Sequence, residues 1–452
     1  MKLPEQFETY TSRIMGEEMW EAYKKAFDEP QPVSVRVNPY KFSDTQAITS
    51  HFESEVKWCR GGYYLKSRPS FTADPLFHAG TYYVQEAASM FLDRVIRTYV
   101  KEPSVMLDLC AAPGGKSTLA RTALPEGSIL MCNEPMKQRA NILSENIKKF
   151  GSPRVIVTNN FPADYRKSGL MFDVILTDVP CSGEGMFRKD EGAIDEWSTQ
   201  NVDSCRKKQR EIVEDIWHCL KPGGLLIYST CTFNLGEDED NVRWIADELG
   251  GEILKVETNE DEHIVGCLSK EAGIPVYRFV PGITRGEGMF MAAIRKTDDD
   301  MPKNKKRKGS KGMKTIKYDG NVLEGDFKYF EAGSRIVAIP ADMCGLYETA
   351  CETLHLLHAG VCIGERKGKD IIPDQSLALS VALRPDAFPR TELSLEESLS
   401  YLSRETITLP PGTPRGFILL TYGGTALGFV KNIGSRVNNL YPAEWKIRNI
   451  TK

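Results

Sequence analysis

Two stretches of the chain carry the residues best suited to chemistry, Asp108–Ser117 and Tyr228–Phe233. The first follows the apolar run Val105–Leu107, which predicts a buried strand, then passes through a Pro-Gly-Gly turn and enters a helical pattern at Ser117. In an open α/β sheet, a strand, a glycine turn and a helix start form a cradle for a nucleotide-like ligand, because glycines let the backbone approach the ligand closely. The first stretch is therefore a candidate ligand-binding turn.

The Gly-Lys-Ser sequence at residues 115–117 suggests a phosphate-binding P-loop. That motif requires a glycine five positions before its second glycine, and counting back from Gly115 reaches Cys110. The dinucleotide fingerprint Gly-x-Gly-x-x-Gly does not follow this strand either. Both phosphate-binding classes are therefore excluded.

What remains is a pair of acidic strand ends. Asp108 ends the first strand, and Glu134 follows the second apolar run, Ile129–Asn133. A carboxylate at the end of the second strand suits hydrogen bonding to ribose hydroxyls, which leaves Asp108 and the turn for the amino-acid part of a nucleoside cofactor. S-adenosylmethionine fits this description, although a glycine turn between a strand and a helix also occurs as plain architecture.

Two later motifs lie at the ends of further apolar strands, Asp-Val-Pro-Cys-Ser-Gly at residues 178–183 and Ser-Thr-Cys-Thr at residues 229–232. Together with Asp-x-x-Ala-Ala-Pro-Gly-Gly-Lys at residues 108–116, they occur in the order found in the NOL/NOP/Sun family of RNA cytosine-5 methyltransferases. The chain resembles this family. The closest resemblance is to bacterial members that methylate 16S ribosomal RNA and carry a C-terminal PUA-like domain.

The resemblance implies a role for two side chains: Cys231 is the nucleophile that adds to carbon 6 of cytosine, and Cys181 assists release of the product. The addition also benefits from a donor that neutralises charge at the ring nitrogen, and Asp178 supplies it if a dehydrated pocket raises its pKa. In DNA cytosine-5 methyltransferases the Pro-Cys cysteine is the nucleophile, so the reversed assignment is the alternative. A single free cysteine is more often only a small buried hydrophobe.

The resemblance also assigns residues to S-adenosylmethionine. After the third strand the family usually has an aspartate near the adenine, where this chain has Asn160, whose side-chain carbonyl can still accept a hydrogen bond from the adenine amino group. The full set is Cys110, Ala111, Ala112, Pro113, Gly114, Gly115, Lys116, Glu134, Asn160 and Asp178.

The composition describes an ordinary globular protein of 452 residues, 41% hydrophobic and 27% charged, with room for roughly two to four domains. A formal net charge of −4 means that RNA binding must come from local basic surface. The 11 cysteines include no C-x-x-C pair, which argues against a disulfide framework and against a zinc site. We predict a cytoplasmic protein from three features of the sequence: cysteines that suit reduced thiols, an N-terminus unlike a signal peptide, and no apolar stretch long enough to span a membrane.

Residues 1–75 predict an N-terminal α+β RNA-binding lobe. Residues 4–30 have a helical periodicity of apolar side chains, which ends at Pro30. In residues 33–40, apolar and polar side chains alternate as in a half-buried strand. This lobe is similar to the extension that bacterial family members carry before the core. Its cations are expected either to meet phosphates or to form a solvated face; they are Arg36, Lys41, Arg60, Lys66 and Arg68.

Residues 76–296 predict the catalytic core. Apolar strands at 105–109, 129–133, 155–158 and 174–177 alternate with helical patterns, which predicts βαβ units and a mostly parallel sheet covered on both faces. Residues 277–295 predict an antiparallel hairpin that closes the sheet. The resemblance implies a Rossmann-like methyltransferase core of seven strands.

Residues 297–317 form a basic tract that predicts a linker, either solvated or in contact with RNA. Residues 318–452 predict a separate α+β unit, in which the glycine pair at 423–424 marks a hairpin turn. Residues 427–442 resemble the PUA-like RNA-binding module of the bacterial relatives.

These observations predict a monomeric enzyme that methylates carbon 5 of cytosine in 16S ribosomal RNA, with the small-subunit decoding region favoured. Ribosomal RNA or the small ribosomal subunit is the expected partner. A transfer-RNA cytosine-5 methyltransferase with the same core is one alternative. A non-catalytic ribosome-assembly factor is another, although a scaffold has no need of cysteines at two strand ends.

Overall fold

The structure is a computed structural model that describes residues 2–44, 46–270, 273–298, 314–368 and 370–448. Its N-terminal part contains a four-stranded sheet in the order β2-β3-β1-β4. The elements are α1 (Glu5–Met15), α2 (Glu17–Lys25), β1 (Ser34–Val37), β2 (Phe52–Glu55), β3 (Gly62–Leu65), α3 (Pro75–Ala79), β4 (Tyr82–Val84) and α4 (Leu92–Tyr99). The helix predicted over residues 4–30 is divided in two at Gly16, whose φ of 76° is incompatible with a continuous helix.

Two of the cations predicted to meet phosphates or solvent lie inside the protein instead. The guanidinium of Arg36 is buried and donates to Thr118 Oγ1 at 2.6 Å and to Gln85 Oε1 at 3.0 Å. Lys41 donates to the backbone oxygens of Ala79 and Lys149. Charge patterning could not show this, because both residues join the N-terminal lobe to the core through contacts distant in sequence.

The core consists of strands and helices that alternate along the chain, as predicted. The elements are β5 (Val105–Asp108), α5 (Gly115–Ala123), β6 (Ile129–Asn133), α6 (Lys137–Phe150), β7 (Val155–Thr158), α7 (Pro162–Ser168), β8 (Phe172–Asp178), α8 (Glu191–Glu196), α9 (Thr199–Trp217), β9 (Leu220–Thr230), α10 (Glu239–Leu249), β10 (Gly251–Leu254), β11 (Tyr277–Phe279) and β12 (Met289–Lys296).

Seven of these strands form the predicted sheet, in the order β10-β12-β9-β8-β5-β6-β7. The strands from β9 to β7 pair in parallel, and β12 runs antiparallel to β9. Successive strand residues pack on opposite faces: Met106 joins the core cluster beneath α4 and α5, and Leu107 joins the cluster beneath α7 and α9. The Rossmann-like fold and the closing hairpin of β11 and β12 are confirmed.

The remaining chain forms two more sheets, in the orders β13-β14-β15-β17-β18 and β19-β20-β21-β22. The elements are β13 (Thr315–Ile316), β14 (Phe327–Ala332), β15 (Arg335–Pro340), α11 (Cys344–Thr353), β16 (Leu356–Ala359), β17 (Val361–Lys367), β18 (Asp370–Pro373), α12 (Gln375–Leu379), β19 (Arg390–Glu392), α13 (Leu395–Leu402), β20 (Gly416–Tyr422), β21 (Thr425–Asn432) and β22 (Val437–Asn439). The hairpin predicted at the glycine pair joins β20 to β21.

Two predictions about the chain's division were wrong in part. Of the linker predicted at 297–317, residues 299–313 lie outside the described residues, and Thr315–Ile316 form β13 rather than linker. The region 318–452 is not separate from the core, because β16 pairs antiparallel with β7 and extends the core sheet. The physical reason is that β7 would otherwise leave one side of its backbone unpaired.

A buried ion-pair network lies where β9 leads into α10. Arg278 on β11 donates to Glu239 at 2.8 and 2.9 Å and to Asp238 at 2.9 Å, and all three side chains are fully buried. Burial raises the pKa of Asp238 well above its ordinary value, whereas Arg278 outweighs burial and lowers the pKa of Glu239. One guanidinium therefore binds two buried carboxyl groups and favours the ionised form of Glu239.

We expect Arg278→Ala to lower the free energy of unfolding by about 3–5 kcal/mol, because it leaves two carboxylates buried without a cation. Urea unfolding followed by tryptophan fluorescence measures the change. Arg366→Ala is the matched control, since Arg366 pairs with Glu331 at the surface and such pairs contribute about 0–1 kcal/mol. An equal effect of both variants would contradict the argument.

Candidate active site

The two predicted catalytic cysteines meet because β8 and β9 are parallel neighbours. Asp178 at the end of β8 pairs in register with Ser229 near the end of β9, and the chain leaves both strands at the same edge of the sheet. The Sγ atoms of Cys181 and Cys231 are 3.1 Å apart, and the Cys231 backbone N–H donates to Cys181 Sγ at 3.3 Å. Both cysteine residues are half-buried.

The environment of Cys181 keeps its sulfur protonated. Its hydrogen bond with the Cys231 thiol is the largest cause, followed by burial, and together they raise the pKa of Cys181 well above the ordinary value for a cysteine. A thiol that stays protonated at neutral pH is a poor nucleophile, because the thiolate is the reactive form. The two sulfur atoms therefore form one coupled pair, in which one thiol stays protonated while the other acts as the nucleophile.

Asp178 lies beside this pair but lacks the environment that its predicted role requires. Its Oδ1 accepts a hydrogen bond from Ser229 Oγ at 2.7 Å, and its Oδ2 accepts one from Lys116 Nζ at 2.8 Å. Its side chain is 31% exposed rather than dehydrated. Burial of Lys116 opposes protonation, but Asp178 outweighs it and raises the lysine's pKa. Asp178 is thus an acceptor held by an ammonium group, and the proton-donor role loses its premise.

The predicted cofactor turn runs from Cys110 to Lys116, between β5 and α5. Gly114 has a φ of 114°, which favours glycine, and a Cβ on Gly115 would lie 3.1 Å from the ring of Tyr83. The turn is therefore held against the N-terminal lobe, where Gly114 has a backbone conformation that favours glycine and a side chain at position 115 would crowd Tyr83.

A buried carboxyl lies at the base of this turn. Asp108 Oδ2 accepts from Ser117 Oγ at 2.6 Å, whereas Oδ1 has no hydrogen-bond partner among the described residues. Burial raises the pKa of Asp108 to about 7. A buried oxygen without a partner fits a ligand that brings its own donor, such as the amino group of S-adenosylmethionine.

The ends of β6 and β7 continue the same edge. Glu134 is buried, accepts from the Met136 backbone N–H at 3.0 Å and lies 3.3 Å from Arg139. The exposed side chains of Met136 and Phe161 follow these two strand ends. Sequence reasoning missed both, although an apolar residue directly after a polar strand end was the available signal. Exposed apolar side chains here suit the face of a purine ring.

Asn160 has a different partner from the one predicted. Its side-chain carbonyl accepts a hydrogen bond at 2.9 Å from the backbone N–H of His355, just before β16. Its own backbone is held by Asn133, which donates to the Asn160 carbonyl and accepts from the Asn160 N–H. This oxygen is thus already held by the C-terminal region, and its second lone pair is the one left for the predicted adenine contact.

Other classes of site find no support in the described part of the chain. No cluster of three or more His, Cys, Asp or Glu side chains among those residues is arranged to hold a metal ion. Within the same residues, no helix has the length and apolar character to cross a membrane.

Three family models match consecutive parts of the chain. "16S rRNA methyltransferase RsmB/F" matches residues 97–295, "N-terminal domain of 16S rRNA methyltransferase RsmF" matches residues 3–87, and "Methyltransferase RsmF PUA domain" matches residues 388–447. Together they span the N-terminal lobe, the core and the last sheet.

Relatives match over nearly the whole chain. Ribosomal RNA small subunit methyltransferase F of Enterobacter sp. (strain 638) is 29% identical, covering 94% of this chain and 92% of its own. The protein of the same name from Aliivibrio fischeri (strain MJ11) is 29% identical, covering 97% and 95%.

Solved structures share the fold of the core. A methyltransferase homologue from Pyrococcus horikoshii is 25% identical, with a TM-score of 0.54 over 65% of this chain and 100% of its own. NSun6 from Pyrococcus horikoshii with SFG is 20% identical, with a TM-score of 0.55 over 66% and 99%. The fold, the successive family matches and the relatives agree: the chain resembles the 16S rRNA methyltransferases of the RsmB/F type in all three matched parts, and its core is that of an S-adenosylmethionine-dependent methyltransferase.

Proposed function

We propose that this protein methylates carbon 5 of cytosine in 16S ribosomal RNA, in the small-subunit decoding region, through a covalent bond between Cys231 and the base. The observation that carries the proposal is the 3.1 Å approach of the Cys181 and Cys231 sulfur atoms at the ends of adjacent parallel strands. The relatives' names favour small-subunit ribosomal RNA over transfer RNA. Two paired thiols favour catalysis over a scaffold role.

Carbon 5 of cytosine is a weak nucleophile until the ring loses its aromatic character. Addition of the Cys231 thiolate to carbon 6 makes carbon 5 part of an enamine, which splits one difficult step into easier ones. When bound, S-adenosylmethionine supplies an electrophilic methyl group. Removal of the carbon 5 proton then lets the carbon 6–sulfur bond break, which restores the aromatic ring and the Cys231 thiolate.

The hydrogen bond between the two cysteines supports a base role for Cys181. That bond is the largest cause of the raised pKa of Cys181. When Cys231 becomes bonded to carbon 6, it no longer carries a thiol or thiolate, so its contribution to the raised pKa of Cys181 is lost and only the contribution of burial remains. Cys181 then becomes able to take the carbon 5 proton when that proton must leave.

We propose a role for Asp178 that differs from proton donation. As an acceptor held by Lys116 and Ser229, its carboxylate suits the exocyclic amino group of cytosine, which is a donor that uracil lacks. A base without that amino group would leave the carboxylate facing a carbonyl oxygen, and like acceptors repel. We therefore propose that Asp178 selects cytosine and orients it over Cys231.

Cys231→Ala should abolish methylation and form no covalent adduct with RNA. Cys181→Ala should still attack and transfer methyl, then accumulate as a protein–RNA conjugate because the proton-removing group is gone. Denaturing gels of each variant, incubated with substrate RNA and S-adenosylmethionine, distinguish the two. Cys205→Ala is the control, since Cys205 is a half-buried cysteine on the neighbouring helix α9. A conjugate with Cys231→Ala alone would reverse the assignment.

Glu134→Ala should weaken S-adenosylmethionine binding by roughly 10- to 100-fold, because a buried carboxylate that accepts from ribose hydroxyls makes charge-assisted hydrogen bonds. Isothermal titration calorimetry measures the dissociation constant. Glu145→Ala on α6 is the control, because Glu145 pairs with Lys149 instead of lying at a strand end. Unchanged affinity in Glu134→Ala would remove the ribose-binding role.

Exposed cations of the last sheet predict RNA contacts. Arg415 precedes β20, and Arg436 lies in the turn between β21 and β22; both are exposed. We expect Arg415→Glu and Arg436→Glu each to weaken RNA binding and to reduce the slope of log affinity against log salt by about 0.7, the value for one contact to a single strand. Filter binding at several salt concentrations measures the slope. Arg366→Glu, on a different sheet, should leave it unchanged.

A further inference from the structure

The two loops that carry the cysteines, residues 181–185 and 231–234, hold each other through buried carboxylates. We propose that Glu184 and Glu237 are positioning residues that set the distance between Cys181 and Cys231. The inference rests on the proposed function for its catalytic meaning, but the distance itself can be tested without methylation.

Glu184, on the first loop, binds the backbone of the second. Its Oε2 accepts from the N–H groups of Phe233 at 2.8 Å and Asn234 at 3.0 Å. Its Oε1 accepts from Trp197 Nε1 at 3.0 Å and from Asn234 Nδ2 at 3.2 Å. The carboxylate therefore has four donors, and two of them are backbone groups just after Cys231.

Glu237 follows the second loop and binds the first. Its Oε2 accepts from the Ser182 backbone N–H at 3.1 Å and from Gln209 Nε2 at 2.6 Å, and its Oε1 accepts from Asn234 Nδ2 at 2.7 Å. Ser182 directly follows Cys181. Each loop thus supplies or adjoins a carboxylate that holds the backbone beside the other loop's cysteine.

Neither carboxylate is paired with a cation among the described residues. Both side chains are almost fully buried, and within the described residues neither forms a salt bridge. Burial raises the pKa of Glu237. Their charges are stabilised by N–H donors alone, so each donor must stay in place, which fixes the loop backbones. A displacement of about 1 Å at a reacting group can reduce a rate by roughly 100-fold.

An amide replacement tests the role without changing the shape. Glutamine keeps the size of Glu184 but has one acceptor oxygen and one NH₂ donor. All four partners of Glu184 are donors, so either orientation of the amide sets its NH₂ against N–H groups. Glu184→Gln therefore loses two hydrogen bonds and gains repulsion. In Glu237→Gln the better amide orientation sets the NH₂ against Asn234 Nδ2 alone, so this variant loses one hydrogen bond and gains repulsion.

The experiment measures the effective concentration of one thiol at the other in the full-length protein. In a glutathione redox buffer, the two thiols and one oxidised glutathione give one protein disulfide and two reduced glutathiones. Peptide mapping by mass spectrometry quantifies the Cys181–Cys231 disulfide. We expect Glu184→Gln and Glu237→Gln to lower the effective concentration at least tenfold, with S-adenosylmethionine affinity unchanged within twofold. The kcat for methylation should fall in parallel while KM for RNA stays constant.

Glu262→Gln is the matched control. Glu262 is also fully buried and accepts a backbone N–H, but it pairs with Arg94 far from the cysteines. It should leave the thiol equilibrium at the wild-type value. If Glu184→Gln does not fold, Trp197→Phe removes a single donor to Glu184 and should lower the effective concentration severalfold.

Thiol equilibria equal to wild type in the folded glutamate variants would overturn the proposal, whatever their methylation activity. The same holds if the Glu262→Gln control changes the equilibrium as much as they do. A tenfold loss of effective concentration in a protein whose wild type methylates no cytosine would refute the proposed function while supporting the positioning role.

Discussion

The parallel pairing of β8 with β9 is the constraint on which the rest of the site depends. Its register sets Asp178 opposite Ser229, so the two loops that follow start from neighbouring points and their cysteines meet. Parallel strands leave their carboxyl ends at one edge, and β5, β6 and β7 bring their own polar ends to that edge. A cofactor turn and a thiol pair are thereby placed side by side by sheet geometry alone.

Buried acidic side chains near this edge of the sheet are stabilised in two ways. Asp238 and Glu239 share Arg278, which makes a strong but costly network that stabilises the start of α10. Glu184 and Glu237 have only N–H donors, which ties their ionisation to the exact path of the loop backbones. The ion-pair network of Arg278 stabilises the fold near the site. The N–H contacts of Glu184 and Glu237 determine the distances within the site.

The sequence predicted the features that depend on short motifs or on the periodicity of apolar residues. Alternating strands and helices predicted the core sheet, and the motifs at residues 108–116, 178–183 and 229–232 follow neighbouring parallel strands at one edge of that sheet, as expected. It failed where a side chain meets a partner distant in the chain. Arg36 is buried against Thr118, Asn160 binds the His355 backbone, and Asp178 pairs with Lys116. No spacing rule reports such contacts, because each depends on how separate elements pack.

The strand β16 has a consequence for synthesis of the protein. Asn160 and His355 are 195 residues apart, so β7 emerges from the ribosome long before its outer partner. At 5–20 residues per second, its edge remains unpaired for roughly 10–40 s. An exposed edge is a template for pairing with other chains. The nascent core therefore passes through an interval in which this edge is open to pairing with other chains, and the edge is covered only after β16 has been synthesised.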